Sequence, residues 1–187
     1  KDVIAYLRLI NNENDNLALE RIINVPKRGI GKSTVSKINI LARDNQISML
    51  EATMQFVQNS SNKKNNEINN FVTKVLNWRK LNEKLNHIEL TQLILEDSGY
   101  IEYLAEEEKN IKNPESINRL ENIKEFIESL KDFNNLEGFL EHVGLVMENI
   151  NSTSEETITL MTMHSAKGLE FDNVFLAGWE EGVFPSK

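Results

Sequence analysis

The sequence predicts a mainly α-helical protein that carries a short piece of α/β architecture near its end. Over most of the 187 residues, apolar side chains recur at the three- and four-residue spacing of one helix face. The run 159–186 differs, because apolar residues alternate with threonine, a glycine-marked turn follows, and a second apolar run comes after it. We therefore expect a multi-helix domain followed by a β-turn-β fragment.

The composition argues against several classes of function. The net charge of −8 does not suit a surface that coats nucleic acid uniformly, because such binding depends on cations facing phosphates. There is no cysteine, which rules out disulfides and thiolate metal sites and fits a cytoplasmic location. The chain has no apolar stretch of membrane-spanning length, and its histidines are too scattered for a local metal motif. Because it begins with Lys1 and not with methionine, we expect a segment of a larger protein.

Two helices are expected before a proline break, and a third after it. The first two are separated by the polar stretch NNENDN, and their apolar faces are Val3, Tyr6, Leu7 and Ile10, then Leu19, Ile22 and Ile23. Pro26 interrupts the pattern, because it cannot continue a helix hydrogen-bond ladder. The pattern restarts after Gly31, with Val35, Ile38, Leu41 and Ala42 on one face.

Further helices follow, several with recognisable ends. Ser48 and Glu51 form a capping-box signature for a helix at 49–57, and the polar stretch 58–67 is expected to be a loop. The remaining expected helices are a long one over 68–85, one at 90–97 with Gly99 as its C-terminal cap, one at 117–130 after the Asn113-Pro114 capping pair, and one at 136–150. The composition of 151–157 is that of a linker.

The first candidate site is the segment 25–36, VPKRGIGKSTVS, between two expected helices. Gly29 and Gly31, on either side of Ile30, lack a Cβ and so allow a phosphate to approach the backbone. The first amides of the next helix favour the same anion. Cations and hydroxyl groups surround the glycines, namely Lys27, Arg28, Lys32, Ser33 and Thr34. Such a helix-hairpin-helix-like element holds a DNA backbone without reading bases; the alternative is a tight turn with a solvated basic face.

A nucleotide-binding P-loop is excluded for this segment, although its Gly-Lys-Ser triplet resembles the end of that motif. The P-loop pattern needs a glycine at the position of Pro26, and a buried strand where this chain has a helical pattern.

The second candidate site is the turn between the expected strands 158–163 and 174–177. Open α/β sheets bind ligands beyond the carboxyl ends of their strands. Thr162 and His164 can donate to phosphates, and Gly168 permits a sharp turn or a close backbone approach. Glu170 can accept a hydrogen bond from a ribose hydroxyl. The alternative is an ordinary strand connection with polar surface residues.

Together these segments resemble a known family. MTMHSAKGLEFDNVFLAGWEEGVFP is similar to motif V and its extension in superfamily 1 DNA helicases of the UvrD/PcrA/Rep type. NVPKRGIGKSTVSKI is similar to the glycine-isoleucine-glycine element of their 2B domain. The opening residues 1–26 and the stretches SGYIEYL and RLENIKEF also resemble the segment leading into 2B and its later helices, so the resemblance covers nearly the whole chain.

The resemblance implies a domain organisation and site roles. Residues 1–25 would be junction helices between domains 2A and 2B, 26–150 a helical 2B-like domain, 151–157 a linker, and 158–187 part of the RecA-like 2A domain. Residues 27–34 would hold duplex DNA. Thr162 and His164 would lie near single-stranded DNA, whereas Gly168 and Glu170 would face the nucleotide. Members of the family are ATP-driven translocases that move 3′ to 5′ and separate duplexes.

The resemblance also implies what the chain needs from elsewhere. It has no Walker A, Walker B or motif VI sequence, so we expect it to be inactive alone and to bind neither ATP nor Mg²⁺, which the parent protein would use. The expected partners are 3′-tailed or forked duplex DNA, the helicase domains 1A and 1B and the rest of 2A, and repair or replication proteins of the bacterial cytoplasm. Two alternatives are a protein-interaction module whose acidic helices dock partners, and the equivalent region of an AddA/RecB-like helicase–nuclease.

Overall fold

The computed structural model describes residues 1–58, 65–110, 118–151, 160–162, 166 and 170–176. Within these ranges the chain forms α1 (Asp2–Asn11), α2 (Asn16–Ile22), α3 (Lys32–Asn45), α4 (Met49–Gln58), α5 (Asn65–Leu81), α6 (His87–Asp97), α7 (Tyr100–Asn110), α8 (Arg119–Ser129) and α9 (Leu136–Asn151). A 3-10 turn, Leu130–Asp132, lies between α8 and α9. The mainly helical prediction is therefore confirmed. No helix in the described ranges is long and apolar enough to cross a membrane.

The chain divides into two compact units, Lys1–Asn149 and Ile150–Lys187. Helix α1 is central to the first unit, because four of its side chains are at most 2% exposed: Tyr6, Leu7, Leu9 and Ile10. It packs against α2, α5 and α6, while α3 packs mainly against α4. Residues 1–25 thus share the core of the first unit, and their predicted role as a domain junction stays a prediction.

Side chains satisfy the first amides of several helices. Asp15 accepts from the amide of Ala18 at 2.9 Å at the start of α2. Ser48 accepts from the amide of Glu51 at 3.1 Å, as the capping signature predicts for α4. Gly99 follows α6 with a φ of 74°, a left-handed conformation that confirms the predicted C-terminal cap. The predicted Asn113-Pro114 cap lies outside the described residues, as do most of the 58–67 loop and residues 152–157 of the linker.

An arginine caps the carboxyl end of α1 from a distant part of the chain. Arg79, on α5, donates to the carbonyl of Leu9 at 3.2 Å and to that of Ile10 at 2.9 Å. These carbonyls have no partner within their own helix, and a cation there also suits the helix dipole. The contact joins α5 to α1, and Arg79 also forms an ion pair with Glu13 at 3.2 Å.

Aromatic side chains connect the central helix to α5 and α7. The ring of Tyr6 meets those of Trp78 and Tyr100 edge to face, with centroids 5.9 Å and 6.3 Å away. The hydroxyl of Tyr100 donates to the carboxylate of Asp2 at 3.1 Å, which holds the start of α1 against α7. The hydroxyl of Tyr103 donates to Glu107 at 2.7 Å.

The β-turn-β prediction for the second unit is not confirmed. Residues 150 and 151 are the end of α9, and none of the other described residues of this unit, 160–162, 166 and 170–176, lies in a strand. The amide of Ala166 donates to the carbonyl of Thr162 at 3.0 Å, a bond over four residues typical of a helical turn. Leu160 and Phe175 are 98% and 96% exposed. A stable strand needs a neighbouring strand that pairs with its backbone and other residues that bury one of its faces. Among these described residues neither is found.

The three tyrosines of the chain should report unfolding in alkali. Burial raises the pKa of Tyr6, partly offset by Arg28, and burial also raises the pKa of Tyr100. The hydrogen bond to Glu107 raises the pKa of Tyr103 to about 12. Because each pKa is raised, folding favours the neutral phenols. The resulting stability is fully present below about pH 10, the unfolded pKa, and is lost as pH rises through the folded values.

We expect phenolate absorbance to stay low at pH 10 and to rise together with loss of helical circular dichroism at higher pH. In concentrated guanidinium chloride the same chain should titrate near pH 10. Half-ionisation of the tyrosines near pH 10 in the folded chain would contradict the buried arrangement.

Candidate nucleic-acid interface

The segment that carries the glycines connects α2 to α3. Helix α2 ends at Ile22, the Val25-Pro26 peptide bond is cis, and α3 begins at Lys32. Gly31 is the residue before α3 and is extended, with no side chain bonded to the first amides of the helix. Since α3 packs mainly against α4, the hairpin-like packing predicted for this element is not confirmed. We call residues 24–33 the glycine loop.

The two glycines face outward and the isoleucine between them faces inward. Gly29 and Gly31 are exposed, and a Cβ built on either would meet no atom within 4 Å. Gly29 has a φ of 70°, a left-handed conformation that glycine adopts without steric cost. Ile30 is only 3% exposed and packs in the core. The open space above both glycines is what a close approach by another molecule requires.

Asn24 fixes the backbone of the glycine loop from inside. Its side-chain oxygen accepts from the amide of Arg28 at 2.8 Å and from that of Ile30 at 3.1 Å. Those two amides are therefore not available to an external anion. The amides of Thr34 and Val35 already donate to the carbonyl of Gly31. The first-turn donors left for a ligand are the amides of Lys32 and Ser33.

The predicted basic side chains separate into two groups. Lys27 and Lys32 are exposed, as is Ser33, and Thr34 is half-buried. Arg28 is also half-buried, but its guanidinium donates to the carbonyls of Ile22 and Ile23 and to the hydroxyl of Tyr6. The lysines are thus accessible at the surface, whereas the arginine is used within the first unit.

The glycine loop lies between two grooves of different charge. One is lined by Lys27 and by acidic residues of α7, including Glu102, Glu106 and Glu107. The other is lined by Gly31, Lys32 and polar residues of α3, with Glu20 as its single carboxylate among the lining residues. Phosphates are repelled by the first groove and less so by the second, so an anion is favoured on the α3 side.

The second candidate site is only partly described. Thr162 and Glu170 are both exposed in the second unit, whereas His164 and Gly168 lie outside the described residues. Within the described part of the chain no group of three or more histidine, cysteine or acidic side chains could hold a metal ion. The predicted roles of these four residues therefore stay predictions.

Sequence reasoning missed two residues that shape the glycine loop. The helical spacing identifies Tyr6 only as one apolar position of the first helix, and no motif marks Asn24. A signal existed for Tyr6, because a buried tyrosine needs a partner for its hydroxyl and a nearby arginine or carbonyl can supply one. Asn24 directly precedes the turn, where asparagine often bonds to backbone amides further along the chain.

Comparison with known proteins places the chain in the class of UvrD-like helicase domains. The chain belongs to the UvrD-like helicase C-terminal domain family, whose model matches residues 1–187. It is 45% identical over 191 residues to a probable DNA helicase II homolog of Rickettsia felis, covering 100% of this chain and 29% of that protein.

Two further relatives have similar names. A DNA helicase II of Rickettsia typhi is 44% identical, covering 100% of this chain and 28% of that protein. An ATP-dependent DNA helicase PcrA of Staphylococcus epidermidis is 42% identical, covering 99% of this chain and 26% of that protein. The chain thus spans less than a third of the length of these relatives.

Stability measurements should separate the buried residue of the glycine loop from the exposed ones. Ile30→Ala removes buried methyl groups and should lower the free energy of unfolding by about 2–4 kcal/mol. Lys32→Ala changes an exposed side chain and should lie within about 0.5 kcal/mol of the parent. Urea unfolding followed by circular dichroism measures both. Equal effects of the two substitutions would contradict the inward orientation of Ile30.

Proposed function

We propose that this chain is the part of an ATP-dependent 3′ to 5′ DNA helicase that holds duplex DNA by its backbone and regulates unwinding. The observation that carries the proposal is the glycine loop, which presents two exposed glycines, the exposed Lys27, and the exposed Lys32 at the start of α3, where no side chain caps the first amides. Family membership and the names of the relatives support DNA as the partner. In this proposal 26–150 is the 2B-like domain, and its rotation relative to the motor domains controls unwinding in the bacterial cytoplasm.

The loop suits a phosphate for three separate reasons. The amides of Lys32 and Ser33 and the positive end of the α3 dipole favour an anion at that position. The open space above Gly29 and Gly31 allows a sugar-phosphate chain to reach the backbone. The exposed side chains of Lys27 and Lys32 add positive charge close to a bound phosphate. All of these contacts are made to phosphate, so the binding should have no sequence preference.

The charges on α7 determine which side of the loop the DNA uses. Glu102 and Glu106 line the groove next to Lys27, so part of the attraction from that lysine is cancelled there. Lys32 lines the groove on the α3 side, where carboxylates are fewer. We therefore propose that the duplex backbone lies over the start of α3, and that Lys32 contributes more than Lys27.

For the second unit we propose pairing with the rest of a RecA-like 2A sheet, which would give residues 158–163 and 174–177 their strand partners. There Thr162 and His164 would face single-stranded DNA, with Gly168 and Glu170 beside ATP and its Mg²⁺. Glu170 is an exposed carboxylate, which can accept a hydrogen bond from a ribose hydroxyl. We propose that the groups that bind Mg²⁺ and activate ATP come from other residues of the full-length protein, because this chain has no Walker A, Walker B or motif VI sequence.

Binding to a fluorescently labelled duplex with a 3′ tail tests the role of the glycine loop. The chain should bind weakly, without sequence preference, and the logarithm of affinity should fall linearly with the logarithm of salt concentration. Lys32→Ala should reduce that slope by about 0.9, the value for one phosphate contact, and Lys27→Ala by less.

The matched control is the pair Lys80→Ala and Lys84→Ala, which removes exposed lysines at and just beyond the C-terminal end of α5. These substitutions should leave the slope unchanged. Equal effects of loop and control substitutions would indicate nonspecific attraction to cations. Absence of binding by the parent chain would instead favour the protein-interaction alternative, for which the acidic groove on α7 is the candidate surface.

ATP use by the full-length protein tests the second site. Glu170→Ala should raise the KM for ATP roughly 10–100-fold, because a hydrogen bond to a charged group contributes about 1.5–3 kcal/mol. Asp172→Ala removes an exposed carboxylate two residues away and serves as the control. An unchanged KM in the Glu170 variant would remove this residue from the proposed nucleotide site.

A further inference from the structure

We propose that Arg28 is a positioning residue, which holds the glycine loop in its binding conformation from inside and makes no contact with DNA. The sequence places Arg28 among the cations around the glycines, but its contacts in the first unit assign it a different role. The inference rests on the proposed binding of duplex DNA by the glycine loop.

One end of the guanidinium binds the last turn of α2. Its Nη1 donates to the carbonyl of Ile22 at 2.9 Å and to that of Ile23 at 3.3 Å. Carbonyls at the end of a helix lack intrahelical partners, and a cation there also interacts favourably with the dipole. The arginine therefore fixes the end of α2 relative to the loop that follows it.

The other end of the guanidinium reaches helices that are distant in sequence. Its Nη2 donates to the hydroxyl of Tyr6 at 2.7 Å and to the carbonyl of Ser98 at 3.4 Å. The group also lies over the ring of Phe71, with its central carbon 4.5 Å from the ring centroid. The hydroxyl of Tyr6 in turn donates to the carbonyl of Val25 at 2.6 Å, so Tyr6 binds the loop at two positions.

The backbone on either side of Gly29 is also bonded to the interior of the first unit. The amides of Arg28 and Ile30 both donate to Asn24, and the Ile30 side chain is buried beside them. The intervening Gly29 turns outward. With Arg28 anchored inside, the lysines at 27 and 32 remain on the exposed side of the loop.

Moving this guanidinium to a phosphate would be unfavourable. It would break four hydrogen bonds and leave the carbonyls of Ile22 and Ile23 without this donor. A lysine at this position would keep the positive charge, but it lacks the planar guanidinium group whose two ends reach these acceptors. Charge and geometry can therefore be separated by substitution.

The test measures duplex affinity of the full chain against salt concentration for Arg28→Lys and Tyr6→Phe. Tyr6→Phe removes one hydroxyl and changes no charge, so it tests the same network without the risk of losing a cation. We expect each variant to bind the 3′-tailed duplex roughly tenfold more weakly, with the salt slope of the parent chain. Circular dichroism at the binding temperature checks that both variants are folded.

Each of the following outcomes would overturn the inference. If Arg28→Lys keeps the parent affinity and Arg28→Gln lowers the salt slope by about 0.9, Arg28 is a phosphate contact. If both network variants are folded and bind like the parent chain, the network has only a structural role.

The Lys32→Ala variant separates failure of this inference from failure of the proposed function. If Lys32→Ala also leaves the slope unchanged, the glycine loop is not the DNA site and the proposed function fails together with this inference. A lowered slope for Lys32→Ala with parent-like network variants would overturn the positioning role alone.

Discussion

The contact between the guanidinium of Arg28 and the hydroxyl of Tyr6 is the interaction on which the arrangement of the first unit most depends. Tyr6 lies on the most deeply buried helix, α1, and Arg28 lies in the loop after α2. Around their contact, α5 supplies the face of Phe71 and the turn before α7 supplies the carbonyl of Ser98. A delocalised, weakly hydrated guanidinium suits such a half-buried position better than an ammonium group. The conformation of the glycine loop is therefore determined both by local bonds, such as those of Asn24, and by contacts distant in sequence.

Among the described residues of the first unit, two arginines bind helix ends in the same way. Arg28 binds the last carbonyls of α2, and Arg79 binds those of α1. Both place positive charge where the helix dipole favours it, and both join the helix end to another element. Of the side chains that the structure describes, none leaves a buried nitrogen or oxygen without a hydrogen bond. With Arg28 turned toward carbonyls, the exposed positive charge of the glycine loop comes from Lys27 and Lys32. This agrees with a local attraction to phosphate in a chain of net charge −8.

The helices could be predicted from sequence because local rules determine them. The spacing of Phe71, Val75 and Trp78 predicts the buried face of α5, and Ser48 and Gly99 mark helix ends. The role of Arg28 could not be predicted in the same way. Three cations surround the glycines at similar sequence distances, and local pattern does not say which one turns inward. That choice depends on Tyr6 and Ser98, which lie 22 and 70 residues away along the chain.

The strand prediction for the second unit shows a different limit of sequence reasoning. Alternating apolar residues indicate which side chains must be buried for a strand to be stable. They do not indicate whether the chain supplies the residues that would bury them. Leu160 and Phe175 fit the apolar positions of the expected strands, yet both are almost fully exposed and outside any strand. A helix forms its backbone hydrogen bonds within one segment, whereas a strand needs a neighbour. The same kind of periodic signal therefore predicts α5 correctly, but it does not by itself establish the strands expected over 158–163 and 174–177, where no described residue lies in a strand.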